Sequence, residues 1–373
     1  MSKVKFEDVA TRVNTREDKD NTSLLYYVGG DHIESGELVV HNRGLIEGST
    51  IGPMFYFGFK KGDILLVSRN PHLRKAAMVD FDGICSEKTF VIGTKDEKVL
   101  LQKYLAVIVQ SNSFWNYCEE HKSGGVNFFV NWSTLAKYEF DLPDIEEQRR
   151  ISDKVWAAYG VKESYRRLIK ATDEMVKSRF IEMFGNGNWE QRPLGEVGTF
   201  KRGGGFQKSD YVEHGIPCIH YGQIHTLFGP FIYSHISEIS SELESKTKFA
   251  SKGDLIIAIT SEDAEGSCKS TAWLGDYPVA VGAHAAIFNH CMDPLYMSFF
   301  FKSELFNHAK MEYIHGTKVV EIRPDDIAKI LVPCPPMGLQ KQFSTIAHQA
   351  DKSKFELKQA IEKIDKVMRA LLQ

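Results

Sequence analysis

The sequence has no Cys-x-x-Cys pair; its six cysteines (Cys85, Cys118, Cys218, Cys268, Cys291, Cys334) are scattered. A structural zinc site draws its ligands from close local pairs, so no metal is expected and the thiols read as reduced cysteines of a cytosolic protein. No apolar run approaches the roughly 18 residues of a membrane-crossing helix. The opening stretch, MSKVKFEDVATRVNTREDKD, lacks the apolar core of a secretory signal, so the expected location is cytoplasmic and away from membranes. An excess of positive charge is missing too. Lys and Arg number 46 against 49 Asp and Glu, a formal net charge of −3, where a dedicated DNA-binding domain is often strongly basic.

Catalytic signatures are also absent. There is no G-x-x-x-x-G-K-[ST] phosphate loop, no G-x-S-x-G nucleophile elbow and no Asn/Asp-Pro-Pro-aromatic tetrapeptide of the kind that holds a flipped base. The acids of Pro143-Asp144-Ile145-Glu146-Glu147 open a helix, where they complement its dipole. Glu262-Asp263-Ala264-Glu265-Gly266 reads as a solvated loop, and His290-Cys291 and His220-Tyr221 lack partners at catalytic spacing. Arg202-Gly203-Gly204-Gly205-Phe206 lacks dinucleotide spacing; a loop turned toward phosphates, with Lys201 and Lys208 beside it, and a plain turn both stay open. The chain by itself is therefore not expected to be an enzyme or to hold a cofactor.

What is present in quantity is a soluble globular composition: 373 residues, 43% hydrophobic, 25% charged and 12% aromatic, enough for two or three domains with β-rich cores. The chain is also written twice. Phe6-Glu7-Asp8-Val9 corresponds to Leu194-Gly195-Glu196-Val197, and Lys61-Gly62-Asp63-Ile64-Leu65-Leu66 to Lys252-Gly253-Asp254-Leu255-Ile256-Ile257. Leu135-Ala136-Lys137 then meets Ile327-Ala328-Lys329, Pro143 meets Pro335, and Gln148-Arg149-Arg150-Ile151 meets Gln340-Lys341-Gln342-Phe343, with an offset drifting only from 188 to 192.

Each half has the same plan. Short apolar runs read as strands, among them Asp63–Val67, Phe90–Ile92, Leu255–Ile259 and Val279–Val281, with short helices over Leu100–Ser111 and Pro294–Ala309. A long amphipathic segment closes each half, from about Ile145 to Met183 and from Met337 to Leu372. In the second segment Phe343, Ala347, Ala350, Lys354, Leu357, Ile361, Ile364, Met368 and Leu371 are spaced 4-3-4-3 without a slip. The first gives Ile151, Val155, Ala158, Lys162, Tyr165, Ile169, Thr172 and Val176, with Lys162 at the position of Lys354. Two matched heptad seams in one chain can bury one another, which predicts an intramolecular antiparallel coiled coil. The expected fold is α+β, a pseudo-twofold repeat with globular domains at 1–142 and 186–335 and long spacer helices at 143–185 and 336–373.

Two such modules, two similar helices and the phrases Gly-Asp-Ile-Leu-Leu (62–66), Leu-Pro-Asp-Ile-Glu-Glu-Gln-Arg-Arg-Ile (142–151) and Phe-Ile-Glu-Met-Phe-Gly (180–185) resemble the DNA-specificity subunit of type I restriction-modification systems. One departure is Leu339, which stands where the first copy has Glu147 and weakens the acidic start of the second helix. The resemblance implies that each module is a target-recognition domain reading one half of a bipartite double-stranded DNA target. The helices would set the gap and dock two methyltransferase subunits, and through them motor-nuclease subunits. S-adenosylmethionine, ATP and magnesium would then reside in those partners. The alternatives are an adaptor with duplicated binding modules and the specificity chain of a related fused restriction enzyme.

Base edges are read best by Arg, Lys, Asn, Gln, Ser and Thr, while phosphate contacts position without specifying. Candidate DNA contacts in the first module are Arg12, Arg16, Tyr27, His32, Arg43, Ser68, Arg69, Asn70, Arg74, Lys75 and Lys122. In the second they are Lys201, Arg202, Gln207, Lys208, Tyr221, Gln223, His225, Lys269, Ser270 and Lys318. The loops after the two Gly-Asp strands, Ser68–Lys75 and Thr260–Ser270, are singled out because the repeat places them equivalently.

Overall fold

The structure is a computed structural model describing residues 2–185, 187–316 and 319–372. The chain divides into two compact units, Met1–Arg167 with Leu357–Gln373, and Leu168–Glu356. Both boundaries fall inside the long helices, so each unit holds one globular module and part of each helix instead of leaving the spacer separate. No helix among the described residues is long and apolar enough to cross a membrane.

In the first unit, one sheet runs in the order Ala10–Val13, Thr89–Thr94, Ile64–Val67, Ala76–Met78. A second runs Gly44–Leu45, Tyr26–Val28, Gly83–Ser86, Phe55–Phe59. The run Ile64-Leu65-Leu66-Val67 is wholly apolar because both its faces are covered. Alternate side chains of a strand point to opposite faces. Thus Ile64 and Leu66 join Phe90, Ile92 and the short helices in one core, while Leu65 and Val67 join Val28, Phe57 and Cys85 in another.

The second unit repeats this logic with five-stranded sheets. One is ordered Gly198–Arg202, Ala285–His290, Leu255–Ala258, Ser270–Trp273, Phe231–Ile232. The other is ordered Tyr211–Val212, Ser237–Ile239, Ile216–Ile219, Val279–Val281, Lys248–Ala250. Leu255 and Ile257 face one core, and Ile256 and Ala258 face the other. Both units hold a parallel strand pair at the equivalent place, Tyr26–Val28 with Gly83–Ser86 and Ile216–Ile219 with Val279–Val281, and the second adds another, Phe231–Ile232 with Ser270–Trp273.

The repeated Gly-Asp has a backbone cause. Gly62 and Gly253 sit at φ 96° and 97°, a region that side chains avoid. The following carboxylates accept from the backbone N–H three residues earlier, Asp63 from Lys60 at 2.7 Å and Asp254 from Ser251 at 2.8 Å. The repeated glutamine is a buried latch. Gln148 accepts from the Leu101 N–H and donates to the Val99 and Pro143 carbonyls. Gln340 accepts from the Asp293 N–H and donates to the Pro335 carbonyl.

The long helices span Ile145–Phe180 and Met337–Leu371, the first continuing into a wider π turn at Ile181–Gly185. Asp144 accepts from the Glu147 N–H at the start of the first helix, while the second opens with no acid in its first turn. Every position of both predicted seams is buried or half-buried. Within the first unit, Ile151 and Val155 pack with Met368 and Leu371, and Lys162 meets Asp365 at 2.8 Å. Within the second, Val176 packs with Ala347 and Ala350, Phe180 meets Phe343 with ring centroids 5.2 Å apart, and Lys354 meets Asp173 at 2.6 Å. In each unit, therefore, the helices run antiparallel, and each seam lysine faces an acid on the other helix.

The short helices differ from expectation. Pro294–Ala309 is two helices, Pro294–Phe300 and Glu304–Lys310, because Ser303 turns out of the first to cap the second. The first copy does the same, with Gln102–Ile108 followed by Asn112–Glu120 under a Ser111 cap.

Candidate nucleic-acid interface

Three loops of the first unit converge after the strand Ile64–Val67. The Asn70 N–H donates to the Phe128 carbonyl at 2.8 Å, Arg69 bridges Phe129, and the Lys75 ammonium donates to the Gly30 carbonyl at 2.6 Å. Lys122 pairs with Glu119 at 2.8 Å and lies 4.4 Å over the Phe128 ring. Asn70 and Arg74 sit at φ 50° and 49° on either side of the turn Pro71–Leu73. Side chains rarely occupy that region, and such strain gathers at functional sites. The Arg74 guanidinium donates to Asn112 Oδ1 at 2.7 Å.

The other predicted residues of this unit divide by environment. Arg43 is exposed and stacks 4.0 Å over Tyr26 and 4.5 Å over Phe81; Arg16 is exposed, 4.9 Å over Tyr56. Arg12 is half-buried between Phe57 and Phe90, where it packs the module. Tyr27 is half-buried against Phe55 and His32, and His32 Nδ1 accepts from the Gly29 N–H. Ser68 is a correction: it is buried, and its hydroxyl donates to the Lys88 carbonyl.

In the second unit, Lys201 and Arg202 end an edge strand in the open. The Arg202 guanidinium donates to the Ala283 carbonyl at 3.0 Å and pairs with Glu321 at 3.1 Å. Tyr221 is exposed, its ring 5.2 Å from that of His284 and 5.9 Å from that of His225. His225 lies 3.0 Å from the Thr260 carbonyl. Arg202, Tyr221 and His225 thus come together, joined by His284, which sequence reasoning missed. Its only signal was a glycine, Gly282, two residues before it.

Gln207 and Lys269 are exposed. Two residues are corrections. Gln223 is buried, donating to Ser237 and accepting from the His220 N–H, and Ser270 is buried within a strand. Lys318 and the Lys208 side chain lie outside the described residues. The loop Thr260–Ser270 contains Cys268 at φ 59° but exposes Glu262, Asp263 and Glu265, which repel phosphate. Beneath it the buried Lys310 ammonium donates to the carbonyls of Glu265 and Ser267, a brace no sequence pattern announced.

One further cluster ties the first module to the long helices. Glu37, with 5% of its surface exposed, accepts from Lys162, Tyr159 and Arg166 at 3.1, 3.1 and 2.8–2.9 Å. Burial alone would raise its carboxyl, but the Arg166 hydrogen bonds and the Lys162 charge bring it down to about 2. Glu37, His41 and Glu163 lie within metal-ligand reach of one another, yet Glu37 already faces two cations.

Residues 186–366 match the family model of the type I restriction modification DNA specificity domain. No curated protein sequence matches the chain. A chain of a solved type I R-M system, studied for its complex assembly and conformational transition, is 20% identical over 100% of this chain and 96% of its own, with a TM-score of 0.60. The S subunit of a type I restriction-modification system from M. genitalium is 12% identical over 100% of this chain and 94% of its own, with a TM-score of 0.51. At those identities the likeness to the two structures is one of fold.

Proposed function

We propose that the chain, whose residues 186–366 match the type I restriction modification DNA specificity domain, is a DNA-specificity subunit of that kind and reads a bipartite DNA target, one half-site per module. The observation that carries this reading is the duplication of a complete unit. Both copies keep one order for the four strands shared by each pair of sheets, a serine-capped short helix and a glutamine latch, and both have a seam lysine paired with an acid of the other helix. A duplicated reader suits a target with two separate halves, and a helix pair with fixed register suits a constant gap between them.

The first long helix offers a docking face. Leu168, Ala171 and Met175 follow one another at 3-4 spacing on its solvent side, Leu168 52% and Met175 47% exposed. Apolar side chains at heptad spacing in the open suit a partner helix. We assign this face to methyltransferase subunits, two per chain, that bring S-adenosylmethionine and methylate adenine N6. Motor-nuclease subunits with ATP and magnesium would join through them. This chain supplies sequence reading and assembly.

The test is a methylome of a methylation-free host expressing this chain with its methyltransferase. A motif of two short defined halves around a constant gap is expected. Methylation without a split motif, or methylation indifferent to this chain, refutes the reading.

A further inference from the structure

The second unit has a cavity of about 410 Å³ lined largely by aromatic rings. Phe206, Tyr211, His220, Tyr221 and His284 line it, with ring centroids 6.2 Å apart from Phe206 to Tyr211, 5.6 Å from Tyr211 to His220 and 5.2 Å from Tyr221 to His284. The floor is bare backbone at Gly282. A Cβ there would come within 3.3 Å of the Phe206 ring, so a larger side chain would fill the space. Phe206 reaches the wall because Gly203 and Gly204 press against the backbone of Gly282 and of Lys246–Thr247, where any Cβ would collide. The glycine run is thus neither a dinucleotide loop nor a plain turn. It delivers an aromatic ring to a cavity.

Three polar side chains around this space are uncommitted among the described residues. Among the described residues the hydroxyls of Tyr211 and Tyr221 and the His284 imidazole carry no hydrogen bond within the protein. Burial holds His220 below the usual imidazole range, which leaves a neutral ring with one donor and one acceptor. Arg202 lies at the rim, fixed to the Ala283 carbonyl and still half exposed.

A base that stays in a duplex presents only its edge to a protein and makes little use of a space lined by rings. A base turned out of the stack can. It places its own faces against aromatic walls and its pairing edge against donors and acceptors. We propose that this cavity receives one unstacked nucleobase from the half-site read by the second module, with Arg202 on the neighbouring phosphate. The proposal rests on the DNA-reading function above and deepens it by naming the moiety bound.

The experiment uses the full complex with its methyltransferase and duplexes carrying the target defined by the methylome. A mismatch is placed in turn at every position of the second half-site other than the methylated adenines. A base that must leave the helix costs less to extract when mispaired. One position should therefore bind about tenfold more tightly when mismatched, whereas mismatches at read-in-place positions weaken binding. Tyr221→Ala, at an exposed site, and Gly282→Val, which fills the floor, should each abolish that gain while leaving recognition of the first half-site unchanged. That retained half-site reports folding.

A scan in which every mismatch weakens binding overturns the proposal, as does a gain that survives both variants. Saturable binding of free deoxynucleoside monophosphates that Tyr221→Ala removes, alongside a flat mismatch scan, overturns the DNA assignment in favour of a free nucleotide. Failure of the specificity reading itself looks different: the wild-type complex would then show no split target to scan.

Discussion

Replacing Glu37 by alanine removes a buried carboxylate and strands the cations that it serves. Among the described residues, Lys162, 4% exposed, then keeps Asp365 as its one acid and Arg166 keeps Glu163. Breaking a buried ion pair from one side typically costs about 3–5 kcal/mol, because the remaining charge loses its compensation. The carboxyl itself gives a second estimate. Its descent from 4.5 to about 2 corresponds to roughly 3 kcal/mol of preference for the ionised, folded form. Because the folded value lies below the unfolded one, that stability is complete above pH 4.5 and drains away as the pH falls toward 2. Urea unfolding of Glu37→Ala at pH 7 should lose about 3–5 kcal/mol, and the variant should lose less than wild type between pH 5 and 3. Glu37→Met with Lys162→Met should recover much of the loss, since an apolar pair of similar volume leaves fewer unpaired charges. A Glu37→Ala loss below about 1 kcal/mol would place this network among exposed pairs and refute the burial argument.

Gln340→Leu leaves the Asp293 N–H and the Pro335 carbonyl without their partner, and should cost about 2–4 kcal/mol by chemical denaturation. Gln148→Leu should do the same in the other unit, and a neutral result at both would deny the latch. His290 is pushed down to about 4 by burial. Its folded value is below its unfolded one, so its contribution is complete above pH 6.5 and lost toward pH 4; His290→Gln should flatten that part of a stability–pH curve. Leu168→Glu with Met175→Glu should leave the melting temperature within a few degrees while weakening methyltransferase binding at least tenfold by calorimetry. Unchanged binding would move the dock elsewhere.

The parts of this fold legible in the sequence are those with local or periodic causes. Gly62-Asp63 and Gly253-Asp254 announce a turn because a positive φ and a carboxylate cap act within four residues. The seam from Phe343 to Leu371 announces itself because burial on a helix follows a fixed period. The break at Ser303 is hidden because an apolar pattern continues across it; the decisive fact is one hydroxyl accepting from the N–H three residues on, as Ser111 also does where the expected helix Leu100–Ser111 ends. The interface was legible only as polarity. Ser68, Gln223 and Ser270 look like readers because a polar residue reads the same whether it faces DNA or is buried: Ser68 and Gln223 satisfy the Lys88 carbonyl and the His220 N–H, and the Ser270 hydroxyl lies inside a strand with no partner among the described residues. His284 approaches Tyr221, and Glu37 approaches Lys162 from 125 residues away, through tertiary packing that no spacing rule encodes.

A net charge of −3 and a DNA-reading function are compatible because the cations are held in place rather than accumulated. Arg43 rests on Tyr26 and Phe81, Arg16 on Tyr56, Lys122 on Phe128, and Arg202 on a carbonyl and Glu321. Stacking on a ring or a fixed hydrogen bond removes rotamer freedom before DNA arrives, so less is lost on binding. The consequence is measurable. Each phosphate neutralised steepens the dependence of log affinity on log salt by about 0.9. A reader with few, pre-ordered cations and exposed acids at Glu262 and Glu265 should show a shallow slope for the chain alone, and a steeper one once methyltransferase subunits add their own basic surface. A steep slope from the isolated chain would mean that many freely solvated lysines carry the binding, and that the stacked arginines do not.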